Sequence, residues 1–94
     1  MKVFNRSLLN DFMERHVDIR GPLESWIAEL EEATWATPVE LKERYPSASI
    51  IDGHTVVFNI KGNRYRVAVT IDYQEGIVVA DRIGTHDEYD GWQF

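Results

Sequence analysis

The most regular pattern in the chain is an alternation that starts at Val56, pauses at Gly62-Asn63 and resumes. Val56, Phe58 and Ile60 before the pause, and Tyr65, Val67, Val69 and Ile71 after it, hold every second position. That spacing sends all seven side chains to one face of a β-hairpin. Gly62-Asn63 suits the two-residue turn such a hairpin needs. In this register Lys61 faces Arg64 and Asn59 faces Arg66, so the other face carries Asn59, Lys61, Arg64 and Arg66. Asp72–Gly76 predicts a second turn and Ile77–Ile83 a third strand, which makes an antiparallel meander.

Upstream the period is helical. Lys2–Asn5 reads as a short strand, with Asn5 or Ser7 as the cap of a helix. Leu8, Leu9, Phe12 and Met13 recur at the spacing of this first helix, about two turns long and ending near Val17. Pro22 opens a second helix whose buried stripe is Leu23, Trp26, Ile27, Leu30 and Ala33, with Glu24, Glu29, Glu31 and Glu32 toward water. Trp26 and Trp35 are core residues on this reading. Thr37-Pro38-Val39-Glu40 is a capping box with proline at the first helical position, predicting a short helix to about Arg44 that stops before Pro46. Pro46–Ser49 is then a connector and Asp52-Gly53 a turn. Near the end, Thr85 and Glu88 have capping-box spacing, which puts His86 at the first position of a helical turn and Tyr89 one turn later on the same face. The expected fold is α+β: an N-terminal short strand and helical hairpin packed on a mainly antiparallel sheet, closed by a short C-terminal helical turn. Residues 1–94 make one domain.

Charge sharpens one part of this picture. The net charge is −6, and each half of the chain carries more acid than base. A protein so acidic does not coat nucleic acid non-specifically. Yet no Asp or Glu lies between Asp52 and Asp72, the stretch that holds Lys61, Arg64 and Arg66. Like charges facing each other across a hairpin repel by a few tenths of a kcal/mol to about 1 kcal/mol, and an anionic ligand would relieve that. The plain alternative is a solvated strand face. The chain has no cysteine, so thiolate metal sites and disulfides are absent. No leader or membrane-spanning segment is legible, and a cytoplasmic protein without a membrane partner is expected. His16 and His54 read as surface residues.

Three stretches together resemble the HigB-type toxins of type II toxin–antitoxin modules, within the RelE/ParE-like group. They are Tyr45-Pro46-Ser47-Ala48, Val57–Arg66 and Ile83–Asp90, the last containing Gly84-Thr85-His86-Asp87-Glu88-Tyr89-Asp90. The resemblance implies an mRNA interferase, acting on ribosome-bound message, that needs no metal or other cofactor. In such cleavage the ribose 2′-hydroxyl attacks the adjacent phosphate and the 5′-oxygen leaves. It also implies a HigA-like antitoxin partner with a helix-turn-helix domain. Fixed cations stabilise the charge that phosphoryl transfer gathers on oxygen. Lys61 and Arg66 are the leading candidates for that work, with Arg64 nearer the rim. Asn59 and Asn63, with Arg64, are candidate substrate contacts. His86 is the candidate for proton transfer, since histidine titrates near neutral pH. Tyr89 could stack on a base or assist the proton.

One position departs from the family's pattern. Many relatives have an arginine five residues before the histidine that matches His86, whereas this chain has Asp81 there and Arg82 one later. A shift of one residue on a strand reverses the face. If Ile77, Val79 and Ile83 point inward, Arg82 joins the cationic face and Asp81 is buried or sits at a bulge. If Asp81 takes the cationic face instead, it pairs with Arg66 and repels RNA. The competing functional reading is a binding module of the same fold, weakly or not at all catalytic, that acts through an antitoxin or another target.

Overall fold

A computed structural model describes residues 1–94. Strand β1 (Lys2–Phe4) leads into helix α1 (Arg6–Arg15), a single 3-10 turn (Val17–Ile19), helix α2 (Arg20–Glu32) and helix α3 (Pro38–Arg44). Next come strands β2 (Ser49–Ile50), β3 (Thr55–Ile60), β4 (Tyr65–Asp72) and β5 (Ile77–Thr85), and α4 (His86–Tyr89) is one helical turn. The sheet order is β1-β5-β4-β3-β2. Only the β1–β5 pair is parallel; the rest is antiparallel. The α+β architecture matches the expectation, while β2, two residues at the end of what reads as a connector, has no periodicity to announce it. No helix is long and apolar enough to cross a membrane.

The core lies between the helices and one face of the sheet. All seven alternating residues of the hairpin are buried in it, and they pack against Leu9, Phe12, Met13, Ile19, Leu23, Trp26, Ile27, Leu30 and Leu41. Trp35 and Ala33 are half-buried. Phe58 is the aromatic hub: its ring centroid lies 5.3 Å from that of Trp26 and 5.2 Å from that of Tyr45, both edge to face. Such pairs add roughly 0.5–1.5 kcal/mol to their burial. The Thr37–Glu40 capping box forms as read, with Pro38 at the first helical position. Asn5 does not cap α1 through its side chain. It sits at φ 66°, and its amide donates to the Ala80 carbonyl of β5 at 2.7 Å, tying the start of the chain to the last strand.

Two local features redirect the sequence reading. The hairpin ladder ends at Ile60–Tyr65, one pair short of the two-residue turn, and Lys61–Arg64 is a four-residue turn. Lys61 (φ 54°) and Gly62 (φ 63°) are both left-handed, so the period-2 alternation lapses at Lys61. In β5, Val69 pairs with Ala80 but Ala68 pairs with Arg82. Asp81 is therefore an extra residue in a β-bulge. Upstream of it Val78 and Ala80 face the core, not Ile77 and Val79 as the alternation suggests; downstream Ile83 packs inward. Because the bulge absorbs a residue, Asp81 and Arg82 are both exposed. Arg82 joins the face of Arg66 and Asp81 sits at a bulge, as the first of the two readings has it, although Ile77 and Val79 do not point inward.

Phe58 is fully buried against Trp26 and Tyr45, so truncating it leaves a cavity. Phe58→Ala should lower the unfolding free energy by about 3–5 kcal/mol, read from denaturant midpoints at unchanged m-value.

Candidate functional site

The side chains of interest gather where β4 and β5 end and α4 begins. Gly84 pairs with Arg66, and Thr85 with Tyr65. Thr85 then caps α4: its hydroxyl accepts from Glu88 N–H at 3.2 Å, and its own N–H donates to the Glu88 carboxylate at 2.9 Å. That amide bond holds the Glu88 carboxyl below its usual range. The cap fixes His86 at the head of α4, where its backbone N–H donates to the Arg64 carbonyl at 2.9 Å. His86 is exposed and lines a recess of about 280 Å³ with Asp18, Arg64, Tyr65, Thr85 and Asp87.

Arg66 lies on the sheet face away from the helices. It is the one buried charged residue, 7% exposed. Its guanidinium donates to the Asn63 carbonyl and side-chain oxygen, both at 2.9 Å, and to the Tyr65 carbonyl at 3.2 Å. No carboxylate approaches it within 4 Å. The Tyr89 ring covers it, with Cζ 5.3 Å from the centroid. Trp92 meets Tyr89 edge-on at 5.5 Å, and its own ring lies under the Arg82 guanidinium at 5.6 Å. This closure depends on Gly84, since a Cβ there would come within 3.0 Å of the Trp92 ring and 3.2 Å of Glu88 Cβ. Two cation–π pairs thus line up along one face.

The turn cations behave differently. Lys61 Nζ and Arg64 both reach Asp18 Oδ2 at 3.1 Å, and the Tyr65 hydroxyl donates to Asp18 Oδ1 at 2.6 Å. Four groups thereby tie the turn to the 3-10 segment on the helical side. The Tyr65 hydroxyl bond, reinforced by Lys61, draws the Asp18 carboxyl down to about 2. The same bond raises the Tyr65 phenol. So Asn59, Lys61, Arg64 and Arg66 do not form one face, because the left-handed Lys61 and Gly62 carry the turn round toward Asp18. Asn59 opposes Arg66 as expected. Its amide, however, donates to the Ser47 carbonyl at 3.4 Å and borders a separate recess beside Pro22 and Trp26. Asn63 is engaged in holding Arg66. Asp81 does not pair with Arg66 either; its carboxylate accepts from the Thr70 hydroxyl at 2.6 Å.

The structure therefore gathers Arg66, Tyr89 and Arg82, with Trp92, on the face of β4–β5 away from the helices, places His86 and Arg64 beside Asp18 around a recess at the strand ends, ties Lys61 to the same carboxylate, and leaves Asn59 apart. Asp18 and Trp92 are the participants that the sequence does not disclose, because Asp18 reaches Lys61 across 43 residues and Trp92 folds back on Tyr89 and Arg82 outside any helix or strand period. His16 is not a plain surface residue: its ring stacks on Phe12 at 4.2 Å and meets Tyr65 edge-on at 5.7 Å.

Residues 19–92 match the family model described as HigB_toxin, RelE-like toxic component of a toxin-antitoxin system. The chain belongs to this family. The match takes in the whole sheet except β1, together with α4 and Trp92. The protein is thus a HigB-type toxin with a RelE-like fold, and its family makes an antitoxin its partner. Among curated protein sequences none matches the chain.

The Asp18 knot makes a prediction about acid. A carboxyl whose folded pKa lies below its unfolded value contributes stability that is present above the unfolded value and lost as pH falls through the folded one. For Asp18 that window runs from about 3.8 down to about 2. Asp18→Asn should flatten the stability–pH profile between those limits and leave its shape around neutral pH unchanged, as followed by urea unfolding across pH.

Proposed function

We propose that this toxin is a metal-independent mRNA interferase that cleaves single-stranded message at the β4–β5 end of the sheet. The observation that carries the reading is Arg66. A buried cation with no counter-charge costs stability, and such groups cluster where an anion is to be bound. Its only polar partners are carbonyl and amide oxygens of Asn63 and Tyr65. An RNA phosphate set against Arg66 would supply the missing negative charge.

In this reading the ribose 2′-hydroxyl attacks the adjacent phosphorus, a P–O bond forms, and the bond to the 5′-oxygen breaks. The 2′-hydroxyl loses one proton and the leaving 5′-oxygen gains one, which leaves a cyclic phosphate. His86, exposed beside Arg64 and one turn before Tyr89, is the group that moves a proton. Arg66 and Arg64 offset the charge on the phosphoryl oxygens, and Tyr89 offers a ring to a neighbouring base. Asn63 orients Arg66. Lys61 contributes charge to the rim once Asp18 is displaced or bypassed. The partner is a HigA-like helix-turn-helix antitoxin and the substrate is message on the ribosome in the cytoplasm, in keeping with the family resemblance.

A second reading has one specific observation in its favour. Asp18 already engages both Lys61 and Arg64 in ion pairs, as it would in a fold kept for binding a protein and not for catalysis. The two readings separate on RNA. Wild type stripped of bound metal with EDTA, which is then removed, should cleave ribosome-bound message, and His86→Ala should cut the rate about 10²–10⁴-fold. Arg66→Met should lose about 10²–10³-fold in rate while its stability stays level or rises, because an uncompensated buried charge is removed. Intact message with wild type, on or off the ribosome, leaves the binding module as the answer.

A further inference from the structure

The far face of the sheet holds a second feature beyond the Arg66 site. At the bulge, Thr55, Ala68, Asp81, Arg82, Gln93 and Phe94 line a recess. Its volume is about 290 Å³, near the lower bound of roughly 300 Å³ for small-molecule sites, enough for one nucleobase. Asp81 and Arg82 are adjacent, opposite in charge and both exposed, yet neither forms an ion pair within 4 Å. Asp81 spends only one oxygen, Oδ2, on the Thr70 hydroxyl. The Trp92 ring supports the Arg82 guanidinium without satisfying its N–H donors. Phe94 is 60% exposed at the rim. One recess thus presents acceptors, donors and an open aromatic ring side by side.

We propose that this recess is a nucleobase subsite that selects guanine in single-stranded RNA. The proposal rests on the RNA-cleaving reading above and deepens it. Guanine alone among the four bases offers two adjacent donors, N1–H and N2–H, on one edge and two adjacent acceptors, O6 and N7, on another. A carboxylate matches the first edge and a guanidinium the second. Adenine sets a lone pair, at N1, beside its single amino donor, so one Asp81 oxygen would face another acceptor. Uracil's one donor lies between two carbonyls. The recess is also correctly placed. Arg82 pairs with Ala68, two residues along β4 from Arg66, a step of about 7 Å on a strand. A base seated there would belong to a nucleotide next to the linkage held at Arg66. The bulge is the device that makes this possible, because a regular strand would turn one of the two charges away from the recess.

The test uses the full chain and 2′-O-methylated oligouridines carrying one guanine, one adenine or neither, with binding read by fluorescence anisotropy so that cleavage plays no part. The guanine oligomer should bind about tenfold more tightly than the adenine one, the scale of a single bidentate base contact. Asp81→Asn, which keeps a hydrogen bond to Thr70, should erase that ratio and leave the oligouridine affinity unchanged or slightly raised. Equal affinity for guanine and adenine, no binding of any oligomer, or a ratio that survives Asp81→Asn overturns the subsite. Preference for guanine in a protein that leaves unmethylated message intact supports the subsite and overturns the nuclease reading instead. Cleavage without guanine preference does the reverse. Free GMP competing as well as the guanine oligomer would assign the recess to a nucleotide ligand and overturn its role in RNA.

Discussion

The geometry of the candidate site rests on one extra residue. Where β5 crosses Ala68 and Val69 of β4, the ladder skips Asp81, and the strand changes the parity of its faces. Val78 and Ala80 can then be core residues on one side of the bulge and Ile83 on the other, although all three could not share a face in a regular strand. The parity change sends Arg82 and Gly84 to the face that carries Arg66. It also delivers Thr85 to the sheet end in position to cap α4. The bulge's ladder neighbour Ala80 gives its carbonyl to Asn5, so the irregular segment is pinned by a side chain from the far end of the sequence.

Around that feature the molecule sorts its cations by neighbour. Two of them, Lys61 and Arg64, are compensated by Asp18 in an exposed knot, where an ion pair is worth little in water and the gain is a fixed turn. Arg66 is uncompensated and buried beneath Tyr89. Arg82 has an aromatic partner but no acid. An acidic molecule of charge −6 thus keeps local positive potential by the placement of four side chains. The toxin family to which the chain belongs gives this arrangement its context, and the uncompensated Arg66 is what the proposed RNA linkage would pair with.

Much of the frame was legible in the chain. The hairpin alternation found all seven inward residues because a buried face imposes a strict period of two. The capping boxes at Thr37 and Thr85 found the starts of two helices because the reciprocal hydrogen bonds require those residues at that spacing. The site was legible in its residues and not in their sides. Two left-handed residues at Lys61 and Gly62 broke the alternation in the turn, and Asp81 broke it again in β5; neither leaves a periodic trace. Asp18 meets Lys61 across 43 residues and Trp92 folds back over Arg82, contacts that no local pattern encodes. Val78 and Ala80 form the inner face of β5 because the strand upstream of the bulge runs in the opposite phase to its end.

The proposed RNA-binding surface is the side of the sheet to which the bulge turns Arg82. The most direct measurement is side-chain NMR of the arginine and histidine groups during titration with a short, non-cleavable single-stranded RNA. The prediction is that the guanidinium signals of Arg64, Arg66 and Arg82 and the His86 ring signals shift together, saturating at one RNA concentration, while Arg6, Arg20 and Arg44 stay still. Shifts confined to the helix arginines, or an Arg66 signal that RNA does not touch, would contradict it.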